Sequence, residues 1–109
     1  MSDIINLAND FSRYPAGRFS DDGSHNGSKF RDEILWPRLE NVIRKNDTLT
    51  INIDDVRSLG SSFIDEAFVG LLRKHNITKE ILLKYLDVKC TQPDILFFRD
   101  AIIDSIKNS

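Results

Sequence analysis

The sequence predicts one α/β domain over residues 1–109, with a mixed central sheet of about four strands and three main helices. Three observations predict it. A chain of 109 residues that is 40% hydrophobic and 29% charged has the size and composition of one globular core. Segments of period-two and of helical apolar spacing alternate in the order strand, loop, helix, strand, helix, strand, helix. Residues 48–53 (TLTINI) are rich in β-branched residues with apolar side chains at alternate positions, which is the pattern of a strand.

Residues 3–7 (DIINL) predict the first strand. Residues 10–28 hold Pro15, Gly17, Gly23 and Gly27 among Ser, Asp and Asn, the chemistry of a loop, with a brief strand over 14–19 also compatible. A helix follows over 28–45, with Phe30, Ile34, Leu35, Leu39, Val42 and Ile43 on one stripe and Ser28 as its N-cap. Pro37 lies inside that pattern, where its missing N–H and its ring predict a kink or a junction of two helical pieces. After the strand at 48–53 and a turn over 54–62, Phe63, Ile64, Ala67, Phe68, Leu71 and Leu72 predict a helix ending near His75. The apolar run at 80–86 (EILLKYL) predicts a third strand, although a helical turn fits it too. Residues 92–107 predict the last helix, with Pro93 in its first turn and Ile95, Phe98, Ile102, Ile103 and Ile106 on one stripe.

Charge excludes several functions. Fifteen basic and seventeen acidic side chains give −2, without the basic stripe that nucleic-acid binding by counterion release requires. No stretch reaches the roughly 18 apolar residues of a membrane span. Residues 1–9 lack a basic n-region, and Cys90 has no cysteine to pair with, so a cytoplasmic location is expected. His25 and His75 are fifty positions apart, so no zinc spacing exists, and Asp21-Asp22-Gly23 lacks the ligand pattern of a calcium loop. No metal or other cofactor is expected. In 23–29 (GSHNGSK) three residues separate the glycines and a serine precedes Lys29, which departs from a phosphate-binding P-loop.

The most informative stretch is 51–72 (INIDDVRSLGSSFIDEAFVGLL), because sites in open α/β sheets gather where strands end and helices begin. Ser61 and Ser62 stand at the mouth of its helix, after Gly60 in a tight turn. Ser62 and Asp65 form a capping-box-like pair, which leaves Ser61 as the freer hydroxyl. A phosphate on either serine would add about −1.5 to −2 charges next to Asp65 and Glu66, so modification is expected to disrupt a docking surface. A catalytic serine would need a base, and His75 lies about 20 Å down the same helix at about 1.5 Å per residue. No enzymatic activity is expected.

This strand–turn–helix resembles that of STAS domains, best known in bacterial anti-sigma factor antagonists. Those carry an Asp-Ser-Ser-Gly turn whose first serine is phosphorylated by a partner kinase. Ser61 falls at the phosphorylated position, while Gly60 stands in place of the aspartate and Phe63 in place of the glycine. Residues 13–37 (RYPAGRFSDDGSHNGSKFRDEILWP) and 60–74 (GSSFIDEAFVGLLRK) resemble the STAS-like family of unknown function more closely. The resemblance implies a STAS-like fold and a protein partner, with a histidine-kinase-like ATPase as the natural candidate.

Arg13, Arg18, Asp21, Asp22, His25, Lys29 and Arg31 crowd the loop between the first strand and first helix. They suit a solvated loop, a partner-docking loop using the directional contacts of arginine, or an anion site at a helix start. The expected function is a cytoplasmic protein–protein interaction module in a bacterial regulatory switch. Ser61 and Ser62 are its phosphorylation candidates. Arg18, Gly23, Arg31, Gly60, Phe63, Asp65 and Glu66 form its docking face. A small-molecule or nucleotide sensor binding at the glycine-rich loop is the alternative, as is a non-switching scaffold subunit, for example a homodimer.

Overall fold

A computed structural model describes residues 3–109. Three strands, β1 (Asp3–Asn6), β2 (Leu49–Asn52) and β3 (Leu86–Lys89), form a sheet in the order β1-β2-β3. Both pairings are parallel, with Ile5 beside Ile51 and Ile51 beside Val88. The sheet thus has three parallel strands among the described residues, where about four mixed strands are expected. Residues 14–19 form no strand. They run along 25–28 through three backbone hydrogen bonds, Ala16 N–H to His25 O, Gly27 N–H to Gly17 O and Ser28 N–H to Arg18 O.

Each crossover steps in the same direction across the sheet, and right-handed crossovers then place their helices on one face. Burial agrees. Ile5, Leu49, Ile51, Leu86 and Val88 point into the core, while Ile4, Asn6, Asp87 and Lys89 on the opposite face are exposed. Ile4 is 52% exposed.

Three helical runs carry the apolar stripes read from the sequence. The first comprises α2 (Gly27–Phe30), a π-helical turn (Arg31–Leu35) and α3 (Trp36–Lys45), and a short α1 (Leu7–Asp10) precedes it. Its cap is Asn26, not Ser28: the Asn26 Oδ1 accepts from Lys29 N–H at 2.9 Å and its amide donates to Gly23 O. The discontinuity expected at Pro37 is the π turn. Proline brings no N–H to the ladder, and just before it Trp36 N–H reaches back five residues to Arg31 O.

The second run comprises α4 (Ser61–Ile64), a π turn (Asp65–Val69) and α5 (Gly70–Lys74). The third is α7 (Leu96–Lys107), entered through a 3-10 turn at Pro93–Ile95. Ile102 and Ile106 of its stripe are fully covered.

Of the strand expected at 80–86, only Leu86 lies in a strand. Lys79–Tyr85 is helix α6, capped by Thr78, whose Oγ1 accepts from Ile81 N–H at 3.2 Å. A run with five apolar residues in seven fits either period, and here the cap decides. The strand comes next, where Leu86, Asp87, Val88, Lys89 and Cys90 alternate strictly between buried and exposed. Asp54 holds the strand ends together by accepting from Thr91 N–H at 2.8 Å and Thr91 Oγ1 at 2.6 Å.

Candidate functional site

The turn after β2 leads into α4 with Gly60 as its N-cap. Gly60 has an ordinary extended backbone (φ −82°), and a Cβ there would meet nothing within 4 Å, so no tight turn demands glycine. The capping box expected of Ser62 and Asp65 does not form, because the helix starts two residues earlier, with Gly60 as its cap, and Asp65 faces another partner. Ser61 is exposed and Ser62 half-buried. Among the described residues neither hydroxyl has a hydrogen-bond partner. Neither histidine reaches them: His25 meets Ser24 Oγ, and His75 stacks on Trp36 at 4.4 Å and contacts Asp32.

Beneath this turn lies a charged network that joins the loop to two helices. Arg31 is 3% exposed, and all five of its N–H donors have acceptors. Its Nε and Nη2 grip the two oxygens of Asp32 at 2.9 and 3.1 Å. Nη1 donates to Glu66 Oε2 at 2.5 Å and to Glu66 O at 2.9 Å, and Nη2 also reaches Ser28 Oγ. Arg18 Nη1 donates to Asp65 Oδ2 at 2.5 Å, and Arg73 approaches the same oxygen at 3.3 Å. Both arginines also lie within 3.8 Å of Glu66 Oε1.

Arg31 and Glu66 each sit at the start of a π turn. One extra residue in a turn shifts the phase of the helix, and both shifts occur where the two helices meet. The crossing is close. A Cβ on Gly27 would lie 2.9 Å from Phe63 O and 3.0 Å from Ala67 N, and one on Gly70 would lie 2.7 Å from Arg31 Nη1. Gly27→Ala is therefore expected to destabilise by about 1–3 kcal/mol, since backbone atoms must move to admit the methyl. Urea unfolding would measure it.

Of the residues assigned to a docking face, Gly23 and Gly60 are exposed, and Arg18 and Asp65 are half-buried and paired with each other. Arg31, Phe63 and Glu66 are buried and do not present side chains to a partner. Phe63 packs against Phe11 and Phe30, with ring centroids at 6.0 and 5.8 Å. Arg31 and Glu66 are turned inward because each neutralises the other. Asp65 is paired by Arg18 and Arg73 within the chain. Sequence reasoning missed Asp32, Arg73 and His75 as members of this network, and Asn26 as the cap of α2. The signal for the crossing was present in Gly27 and Gly70, glycines at and within helical patterns.

The pairings set the protonation of two carboxyls. The hydrogen bond from Arg18, then Arg73, holds Asp65 below the ordinary 3.8 despite partial burial. The hydrogen bond from Arg31, then that from His75, does the same for Asp32. A carboxyl with a lower value in the folded chain contributes stability that is complete at neutral pH. That contribution is lost as pH falls below about 4 and through the lowered value. Unfolding midpoints measured at successively lower pH should drop in that window, and Asp65→Asn should shrink the drop.

A hollow of about 380 Å³ borders the glycine-rich loop, lined by residues including Asn26, Ser28, Lys29, Asp32 and Glu33. Two carboxylates against one lysine make it a poor seat for a nucleotide's phosphates, and the Lys29 amide is already taken by Asn26. No group of three or more His, Cys, Asp or Glu among the described residues could hold a metal ion. No helix among them is long and apolar enough to cross a membrane.

No curated protein and no solved structure matches the chain. A family model does. It covers residues 26–95, from the cap of α2 through β3, and so includes the serine turn and all of the charged network except Arg18. That span is well over half of the chain, and the protein belongs to this family, the STAS-like domain of unknown function (DUF4325).

Proposed function

We propose that the domain is a cytoplasmic protein–protein interaction module in a bacterial regulatory switch, thrown by phosphorylation of Ser61. A histidine-kinase-like ATP-binding protein is the proposed kinase and partner. One observation carries the reading: the Ser61 hydroxyl is exposed and spent on no cap, in a turn that Arg18 ties to the glycine-rich loop through Asp65. The proposed docking face comprises Ser61, Ser62, Gly60, Arg18, Gly23 and Asp65.

The mechanism follows from charge. Residues four apart on a helix are neighbours, so a phosphate on Ser61 would stand near Asp65. It would add about −1.5 to −2 charges and three strong acceptors. It would repel Asp65 and compete for Arg18, the one loop side chain that pairs with that carboxylate. The loop would then loosen and the docking face would lose its shape. Catalysis is not part of this reading, because no base accompanies the serines.

Incubation with a histidine-kinase-like partner and ATP, followed by phosphosite mapping, tests it. Phosphate is expected on Ser61. Ser61→Glu is expected to weaken partner binding about tenfold, or about 1.4 kcal/mol, while Ser61→Ala binds as the natural chain does. If Ser61→Glu and Ser62→Glu both bind normally with the fold intact, the switch is wrong.

A further inference from the structure

The two edges of the sheet are treated differently. In a parallel ladder, alternate residues direct their backbone groups to opposite sides. On β1, Ile4 and Asn6 face outward, and side chains satisfy them. Asp3 Oδ1 accepts from Ile4 N–H, Arg38 Nη2 donates to Ile4 O, and Asp10 Oδ2 accepts from Asn6 N–H, each at 2.9 Å. That edge is closed.

On β3 the parity is set by Ile53 N–H, which donates to Lys89 O at 3.0 Å. Asp87 and Lys89 therefore face β2, and Leu86, Val88 and Cys90 face outward. Leu86 N–H is used by the end of α6. Among the described residues nothing bonds to Leu86 O, to Val88 N–H, to Val88 O or to Cys90 N–H. An open row of this kind is a template for another strand.

We propose that β3 pairs antiparallel with β3 of a second copy, joining two sheets into one of six strands. The edge is complementary to itself. With the two-fold axis at Val88, the two Val88 residues exchange both backbone hydrogen bonds. Leu86 O then faces Cys90 N–H of the second copy, so all four open groups are satisfied. Asp87 falls opposite Lys89 of the second copy, and Lys89 opposite its Asp87. These are opposite charges on the exposed face at the spacing where cross-strand pairs interact.

Sedimentation equilibrium from micromolar to millimolar concentration tests this. The natural chain should dimerise. Asp87→Lys sets lysine against lysine twice, and Lys89→Asp sets aspartate against aspartate twice. Each should weaken the dimer about tenfold or more, and both positions are exposed, so the fold should persist. Mixing the two variants should restore a dimer, because the heterodimer regains both opposite-charge pairs, as should Asp87→Lys combined with Lys89→Asp in one chain. Amide exchange at Val88 and Cys90 should slow as the natural chain is concentrated. A natural chain that stays monomeric, or a dimer indifferent to Asp87→Lys, overturns the proposal.

Discussion

Arg31→Ala is expected to destabilise the domain by about 3–5 kcal/mol, a large part of the roughly 5–15 kcal/mol that holds a domain of this size together. The reason is what it leaves behind. Glu66 is 4% exposed, and without Arg31 its carboxylate keeps only the more distant Arg18 and Arg73. Glu66 O loses its side-chain donor, and Asp32 loses a two-pronged partner. Arg31→Lys should recover little, because three donors on a flexible stem cannot meet five fixed acceptors. The combined change Arg31→Met and Glu66→Leu should cost much less than the two single changes added together, because no buried charge is stranded. Equilibrium unfolding in urea of the single and double variants measures both statements. A single variant within about 1 kcal/mol of the natural chain would show that water reaches Glu66 in solution.

Phe63→Ala should cost about 3–5 kcal/mol by a different route, the loss of a fully buried ring and the cavity it leaves. Phe63 stands two residues after Ser61 and supports both halves of the proposed docking face. Its ring meets Phe30 from α2 and Phe11 from the segment that opens the glycine-rich loop. Truncation should therefore loosen the loop as well as lower global stability. Limited proteolysis should cut within residues 12–25 faster in this variant, whereas Leu82→Ala, a core change in α6, should lower stability without that selectivity. Equal cutting in both variants would mean that the loop is held by its backbone contacts to 25–28 alone.

The two serines illustrate what local sequence logic can and cannot reach. A hydroxyl followed three residues later by an acid reads as a cap, and Ser62 with Asp65 satisfies that pattern. The pattern fails here because Arg18, forty-seven residues away in the chain, offers Asp65 a stronger partner than the helix start does. The same competition explains Arg31 and Glu66. Both read as surface charges, since nothing local tells a charged residue that its opposite lies across a helix crossing.

The strand expected at 80–86 is a helix over Lys79–Tyr85 for another reason. Ile81, Leu82, Leu83, Tyr85 and Leu86 suit either period, and only the Thr78 cap and the strict alternation that begins at Leu86 separate helix from strand. Those cues lie at the ends of the segment rather than within it.

What the residue order by itself determined is the layered α/β character, the strand at 48–53, the three main helical runs, and the place of Ser61 at a strand–turn–helix junction. These depend on spacing and on turn chemistry, which act over a few residues. The tertiary structure decided the number and direction of the strands, the inward turn of Arg31, Phe63 and Glu66, and the contact of Arg18 with Asp65. It also decided which edge of the sheet is closed. Those outcomes depend on which distant groups meet, because a charge is stabilised by its partner in space and a strand by its neighbour in the sheet.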